Sequence, residues 1–171
     1  MQVFVASLEQ CLKAKNWPAA LCLALTLPEM AGAVESPESA APQRYAQWFD
    51  KWVGVKYRTR LLSGQQALFS GFDCYALRCA MLYQEQDPEA GRRRYGTDAL
   101  DRFQFTQVAE EHCMHKNRAL QLHADRFCRD VAEGCEAWLK STKNDASKSA
   151  VLKRGLNMTM PLQGCGPVKQ C

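Results

Sequence analysis

A single arginine lies in an otherwise almost uncharged helical pattern at residues 70–83 (SGFDCYALRCAMLY). Burying an arginine costs several kcal/mol unless the guanidinium is paired or lines a cleft. In a straight helix no acidic residue lies near Arg78, since the neighbouring positions are Cys74, Tyr75, Met81 and Leu82. Its partner must therefore come from elsewhere: a carboxylate in a structural ion pair, a helix C-terminus, or an RNA or phosphate ligand.

A second group of candidate residues is basic and lies close along the chain. Arg92, Arg93 and Arg94 precede Tyr95 in a polar stretch at 84–98 that we expect to be a long exposed loop. Arginines beside an aromatic ring suit single-stranded nucleic acid, although a solvated loop of this composition is more common. The RNA-binding interpretation becomes stronger if these residues share one face with Arg78.

A cluster of metal-ligand types lies at His112, Cys113 and His115, with His123 further along. A structural zinc site needs four ligands, and no Cys-x2-Cys pair accompanies the cluster. We therefore expect exposed loop histidines and no bound metal. Because phosphate-binding glycine loops and dinucleotide fingerprints are absent as well, we expect no cofactor.

Composition narrows the class of protein. The chain has 171 residues and a net charge of +4, and residues 143–171 carry five basic residues and one aspartate, so residues 1–142 are nearly neutral. A neutral body argues against a dedicated duplex-DNA binder. The first residues lack a signal-peptide pattern, and the apolar run at 17–27 is too short to cross a bilayer, so we expect a cytoplasmic protein with no membrane partner. The nine cysteines lie mostly in helical patterns and are expected to be reduced thiols.

Hydrophobic periodicity predicts a mainly α protein, a bundle of four to five helices with a small two-stranded β-hairpin insertion. The hairpin is expected to pair residues 102–108 with residues 120–122, and Pro28 is expected to restart or kink the second helix. We expect one helical domain at 1–142, followed by a basic, loosely ordered tail at 143–171. The predicted helices cover about 2–15, 17–26 with a short extension to 34, 43–56, 70–83 and 123–141.

The segment DCYALRCAMLY at 73–83 resembles the motif helix of the HEPN superfamily, small helical bundles that include many prokaryotic RNases of toxin and defence systems. Their signature is an arginine, four to six residues, then a histidine; here four residues separate Arg78 from Tyr83. Most of residues 17–141 also resembles a family of uncharacterised bacterial proteins through the stretches LALTLPEM, RYAQWFDKW, DCYALRCAML and FCRDVAEGCEAWL. In that family we expect histidine at the Tyr83 position.

The resemblance implies a homodimer in which Arg78 contacts phosphate and Tyr83 occupies the place of the histidine. A tyrosine has a pKa of about 10 and is a poor base at neutral pH, although it can donate a hydrogen bond or stack on a base. On an ideal helix the two side chains lie about 140° apart, so they share a site only if the helix ends or bends, or if two subunits meet. Two hypotheses follow: a non-catalytic or weakened RNA-binding protein of a toxin or phage-defence system, or a non-enzymatic protein-interaction module in which Arg78 anchors a structural ion pair.

Overall fold

The computed structural model describes residues 1–61, 64–82 and 102–154. Within these ranges the fold is mainly helical, which confirms the predicted class, although it has six α-helices rather than four or five. They are α1 (Gln2–Lys13), α2 (Trp17–Glu35), α3 (Ala41–Trp52), α4 (Gly71–Leu82), α5 (Ala124–Thr142) and α6 (Ala146–Arg154).

Helix α2 is the centre of the fold and packs against α1, α3, α4, α5 and α6. It begins after Asn16, whose side chain accepts a hydrogen bond from the Ala19 N–H. The expectation that Pro28 restarts the helix is wrong, because α2 continues as one helix to Glu35. A proline inside a helix removes a backbone hydrogen bond, but Pro28 is buried between Leu27 and Ala31, so tertiary packing offsets that cost.

Aromatic side chains on α3 and α5 build the core. The predicted helix at about 43–56 is found as α3, and its apolar stripe of Tyr45, Trp48 and Phe49 is buried. Trp48 packs edge to face against Trp138 of α5, with ring centroids 6.2 Å apart. The two amphipathic helices thus meet through their aromatic faces.

Two small sheets complete the described fold. Strands β1 (Arg58–Leu61) and β2 (Gly64–Ala67) form an antiparallel hairpin. Strands β3 (Phe103–Thr106), β4 (Met114–Lys116) and β5 (Ala119–His123) form a sheet in the order β3-β5-β4.

The predicted pairing of the segments at 102–108 and 120–122 is confirmed, but its direction is wrong. β3 runs parallel to β5, with Phe103 opposite Leu120, and the antiparallel partner of β5 is β4. Along the chain, the 3-10 turn at Ala109–Glu111 and the exposed strand β4 come between β3 and β5. Because β4 runs antiparallel to β5, the chain turns back before β5, which then runs beside β3 in the same direction.

The segment after Thr142 begins with α6, on which Lys148 Nζ lies 3.1 Å from Glu35 Oε2 of α2. Residues 155–171 lie outside the described residues, and the domain boundary at 142 stays a prediction. Every cysteine that the structure describes is a free thiol.

Among the described residues, α2 alone has the length and mean hydropathy, 1.3, of a membrane-spanning helix, and 44% of its most apolar window is buried inside the fold. Its inner face belongs to the core, and a core helix meets the same criteria. The cytoplasmic location and the absence of a membrane partner stay predictions.

Candidate functional site

The start of helix α4 fixes the position of Arg78. Asp73 Oδ2 accepts hydrogen bonds from the backbone N–H of Ser70, at 3.0 Å, and from its hydroxyl, at 2.6 Å. The Asp73 N–H in turn donates to Ser70 Oγ at 3.2 Å, which completes a capping box at the start of the helix. The Gly71 N–H donates to Asp50 Oδ1 of α3 at 2.7 Å and ties the helix start to its neighbour.

Helix α4 approaches α3 too closely for a side chain at residue 71. A Cβ on Gly71 would lie 2.3 Å from the carbonyl oxygen of Ala46 and 2.6 Å from its Cα. Glycine is therefore required here for a close helix contact. The short distance between α3 and α4 determines where the part of α4 that carries Arg78 lies.

Arg78 is half-buried on the last turn but one of α4. Its guanidinium carbon lies 5.8 Å from the ring centroid of Tyr75, one turn earlier, and its Nη1 lies 4.0 Å from Cys79 Sγ. A cation at this distance from a tyrosine ring is within the range of a cation–π interaction. Tyr75 also packs edge to face on Tyr45, with centroids 5.4 Å apart, so α3 supports the ring.

Asp50, Asp73 and Asp130 are carboxylates that could pair with a buried arginine, and all three have other hydrogen-bonded partners. Asp50 accepts from Gly71, and Asp73 accepts from Ser70. Asp130 accepts from the Lys56 ammonium at 2.6 Å and from the Tyr57 hydroxyl at 2.9 Å.

An acid–base pair joins α2 to α3. Arg44 donates from Nε and Nη2 to Glu29 Oε1, with the Nε contact at 3.1 Å. The Glu29 charge raises the pKa of Tyr75 and of Cys79, while the Arg78 charge lowers both. The charges of Glu29 and Arg78 therefore act in opposite directions on the same phenol and thiol.

The phenol and the thiol beside Arg78 stay protonated at neutral pH. Burial, the Cys79 thiol and the Glu29 charge raise the pKa of Tyr75 to about 12. Burial is also the main reason why the pKa of Cys79 is raised. Both groups thus act as hydrogen-bond donors or as packing surface, and neither supplies a base or a thiolate nucleophile.

The other residues predicted for the site cannot be placed. Tyr83, Arg92, Arg93, Arg94 and Tyr95 lie outside the described residues. The shared site of Arg78 with Tyr83, and the convergence of the three loop arginines on one face with Arg78, stay predictions.

A polar cluster that sequence reasoning missed lies where the 3-10 turn Gly54–Tyr57 meets α5. The buried Tyr57 hydroxyl donates to Asp130, and Lys56 bridges Asp130 and Glu133 of the next helical turn. Burial and the Asp130 charge raise the pKa of Tyr57 far above its ordinary value. Tyr57 and Asp130 are 73 residues apart, and no spacing rule relates them.

The His112–Cys113 segment joins this cluster instead of forming an exposed loop. His112 is half-buried, its ring lies 5.6 Å from that of Tyr57, and its Nδ1 accepts a hydrogen bond from the His123 N–H at 3.1 Å. Burial lowers the pKa of His112 and raises that of Cys113 to about 11. Across residues 1–61, 64–82 and 102–154, no three His, Cys, Asp or Glu side chains are arranged to hold a metal ion.

Two grooves flank helix α1. One, of about 310 Å³, lies between α1 and α5 and has Glu9, Glu136 and Lys140 among its lining residues. The other, of about 150 Å³, lies between α1 and α2 and is lined by Phe4, Cys22, Leu23, Thr26, Leu27 and Met30. Neither groove includes Arg78.

No family model matches the chain, and neither a curated protein nor a solved structure matches it. The resemblance to the HEPN motif helix therefore depends on residues 73–83 alone.

Proposed function

We propose that this protein binds single-stranded RNA through the Arg78 face of α4, as a HEPN-like protein that is non-catalytic or weakened. The observation that carries the proposal is the half-buried Arg78 guanidinium beside the Tyr75 ring, 5.8 Å away. A guanidinium makes paired hydrogen bonds to a phosphate, and an aromatic ring next to it offers a stacking surface to a base. A role in a toxin or phage-defence system depends on the resemblance alone.

The surroundings of Arg78 favour binding over cleavage. RNA cleavage requires a group that accepts a proton near neutral pH. The Tyr75 pKa of about 12 and the raised pKa of Cys79 make both residues unsuitable for that role. Tyr83, in the position where the resemblance expects histidine, is a poor base for the same reason.

The alternative is a protein-interaction module in which Arg78 is a structural anchor. The Glu29–Arg44 pair favours this alternative, since it adds a carboxylate to the surroundings of Tyr75 and Cys79, the residues that Arg78 contacts. A guanidinium that balances this carboxylate stabilises the fold without any ligand. The two functions differ in what removing Arg78 changes: affinity for RNA in the first, the free energy of unfolding in the second.

The test is RNA binding by the full chain and by Arg78→Ala and Arg78→Lys variants, measured by fluorescence anisotropy with a labelled single-stranded RNA. Arg129→Ala is the matched control, because Arg129 is an exposed arginine on α5 whose guanidinium pairs with Asp125. We expect Arg78→Ala to weaken binding about tenfold or more and Arg129→Ala to leave it unchanged. Arg78→Lys should recover part of the affinity, because lysine keeps the charge but loses the paired geometry.

The salt dependence of binding separates a phosphate contact from an indirect effect. Loss of one phosphate contact lowers the slope of log affinity against log salt by about one. Circular dichroism and urea denaturation of each variant show whether it is folded. If the wild-type chain binds no RNA, and Arg78→Ala lowers only stability, the interaction-module alternative replaces the proposal.

The weakened-catalysis part of the proposal has its own test in Tyr83→His. If Tyr83 replaces a catalytic histidine, this variant should cleave the RNA that the wild-type chain only binds, and Arg78→Ala should abolish the cleavage. If the variant binds RNA as the wild type does and cleaves none, Tyr83 is not in the place of a catalytic histidine, while the binding proposal remains.

A further inference from the structure

The segment that connects β3 to β4, residues 107–113, lies largely on the protein surface, and we refer to it as the strap. Its first four residues are exposed and its last three are half-buried. Within the strap, the Glu111 carboxylate accepts hydrogen bonds from Thr106 and Lys116, which are both five residues away along the chain. Segments with exposed backbone and few buried contacts open locally at a lower free energy than the whole domain unfolds.

Two hydrogen bonds among the described residues connect the strap to β5. The Cys113 N–H donates to the Gln121 carbonyl oxygen at 2.8 Å. The His123 N–H, at the end of β5, donates to His112 Nδ1 at 3.1 Å. Because a backbone N–H can only donate, His112 Nδ1 must be unprotonated for this second bond to form. Protonation of the His112 ring would turn Nδ1 into a donor and remove the bond.

The surroundings of His112 disfavour a positive charge on its ring. The ring is half-buried and lies edge-on to Tyr57, with ring centroids 5.6 Å apart. The phenol is uncharged, because burial and the Asp130 charge raise the pKa of Tyr57 far above its ordinary value. Arg126 of α5 and His123 of β5 oppose protonation of His112, while Asp130 of α5 favours it.

The favourable charge of Asp130 is already shared with other groups. Its carboxylate accepts hydrogen bonds from the Lys56 ammonium at 2.6 Å and from the Tyr57 hydroxyl at 2.9 Å. The neighbouring Cys113 thiol adds no negative charge at neutral pH, because burial raises its pKa to about 11. Burial of the His112 ring therefore outweighs the attraction of Asp130, and the pKa of His112 lies below its ordinary value of 6.5.

We propose that the strap is an acid-released element: unprotonated His112 holds it closed against Tyr57 and β5, and protonation of His112 opens it. The open strap uncovers the Tyr57 ring and the Cys113 thiol while the helices remain folded. Protonation and opening are linked, because the closed state binds the proton more weakly than the open state does. The contribution of His112 to the closed state is fully present above pH 6.5 and falls as the pH approaches the lower pKa of the closed state. Over this interval opening becomes more favourable by up to about tenfold for each pH unit.

Hydrogen exchange followed by NMR tests the strap directly. After correction for the intrinsic exchange rate, the protection of the His123 amide should fall about fivefold or more between pH 7 and pH 5.5. The amide of Val131, a buried residue in the interior of α5, should keep its protection, because the domain itself stays folded. The ring nitrogen shifts of His112 at pH 7 should show the proton on Nε2, and a proton on Nδ1 would contradict the proposal.

His112→Asn separates the hydrogen bond from the titration. An asparagine carbonyl oxygen can accept from the His123 N–H in place of Nδ1, but it does not titrate. The protection of the His123 amide at pH 7 should therefore remain, and its pH dependence should disappear. His112→Phe keeps a ring against Tyr57 but offers no acceptor, so the protection should be low at both pH values. This second variant stays informative if the shorter asparagine side chain does not reach the His123 N–H.

The other two histidines of the chain supply matched controls. His115→Asn changes an exposed residue of β4. His123→Asn keeps a side chain that caps α5, since the His123 ring accepts a hydrogen bond from the Arg126 N–H at 3.3 Å and asparagine is a favourable N-cap. Both variants should show the same pH dependence of the residue-123 amide as the wild type.

Three further outcomes would overturn the proposal. One is a protection of the His123 amide that does not change between pH 7 and pH 5.5. Another is a pH dependence that survives in His112→Asn and His112→Phe, which would assign it to a different group. The third is a parallel loss of protection at Val131, which would mean that acid unfolds the whole domain. None of these results depends on RNA binding by Arg78.

Discussion

The Glu35 carboxylate on α2 and the Arg78 guanidinium on α4 are both charged groups among apolar helices, but their surroundings differ. At the C-terminal end of α2, the Glu35 carboxylate accepts hydrogen bonds from Lys51 of α3, Trp138 of α5 and Lys148 of α6. On α4, the Arg78 guanidinium lies beside the Tyr75 ring and the Cys79 thiol at a half-buried position. The Glu35 charge holds four helices together, and the Arg78 charge lies at a half-buried surface.

The electrostatics of Glu35 explain why its role is structural. Burial alone raises the pKa of a carboxyl group, but the hydrogen bonds from Lys51, Trp138 and Lys148 outweigh this effect and lower the pKa to about 2. The folded state therefore strongly favours the ionised form. The comparison teaches that a charge with partners from several elements is expected to affect folding, while a guanidinium at a half-buried surface beside an aromatic ring is a candidate for binding.

The largest effect is expected from the glycine that places α4 against α3. Gly71→Ala forces a methyl group to within 2.3 Å of the Ala46 carbonyl oxygen, which is backbone and cannot move aside. We expect a loss of about 3 kcal/mol in the free energy of unfolding, measured by urea denaturation. If the variant folds, its RNA affinity should also fall, because the position of Arg78 depends on this contact.

Gly54→Ala is the control for Gly71→Ala. The nearest atom to a Cβ at Gly54 is Asp50 Oδ1, at 3.1 Å, on a side chain that can adjust. This change should cost less than about 1 kcal/mol. Equal losses in the two variants would mean that the α3–α4 distance does not depend on the absence of a side chain at residue 71.

Glu35→Gln should have the next largest effect, because it removes the charge that Lys51, Trp138 and Lys148 share. We expect a loss of about 1 to 3 kcal/mol at pH 7, after allowance for solvent screening. RNA binding should remain unchanged, since Glu35 is not part of the Arg78 face. Glu38→Gln, at an exposed position three residues later, should leave stability within about 0.5 kcal/mol of the wild type.

The same residue predicts a pH dependence. Because the folded-state pKa of Glu35 is about 2 and the ordinary value is 4.5, its stabilisation is fully present above pH 4.5 and is lost as the pH falls towards 2. The difference in unfolding free energy between wild type and Glu35→Gln should therefore shrink over this interval. A difference that stays constant from pH 7 to pH 2 would contradict the assigned pKa.

The helices of this fold could largely be predicted from the sequence, because their apolar periodicity and capping residues are local signals. The continuous helix through Pro28 could not, since the helix depends on burial by other elements. The alternation of polar and apolar residues in β3 and β5 revealed both strands but not their parallel direction. That direction follows from the short strand β4, which comes between them along the chain and pairs on the other side of β5. The hairpin of β1 and β2 was missed because its residues are mostly polar.

The candidate site was predictable only in part. Arg78 was recognisable as a charge in an apolar helix, and Tyr75 as its neighbour one turn earlier. The supporting Glu29–Arg44 pair and the Tyr57–Asp130 hydrogen bond join residues 15 and 73 positions apart. Such contacts depend on how the helices pack, and no local pattern of residues indicates them.

Tyr57→Phe tests the missed cluster and should have a smaller effect than Glu35→Gln. The change removes the hydroxyl that donates to Asp130 at 2.9 Å, while Lys56 still pairs with that carboxylate. We expect a loss of about 1.5 kcal/mol, measured by urea denaturation, with no change in RNA affinity. Tyr75→Phe keeps the ring beside Arg78 and should cost about 0.5 kcal/mol or less. A larger loss than for Tyr57→Phe would mean that the Tyr75 hydroxyl, and not the Tyr57 hydroxyl, is the one that stabilises the fold.

Arg129→Ala should have the smallest effect on stability, although both oxygens of Asp125 accept hydrogen bonds from the Arg129 guanidinium. Its Nε and Nη2 lie 2.8 Å and 3.0 Å from the two oxygens of Asp125, one helical turn earlier. The Arg129 side chain is 59% exposed, so water and salt screen the pair, and we expect a loss of about 0.3 to 0.5 kcal/mol that disappears in 1 M salt. A loss above about 1 kcal/mol would mean that an exposed pair can contribute as much as a half-buried network, and the distinction between folding charges and binding charges would then have to rest on RNA affinity alone.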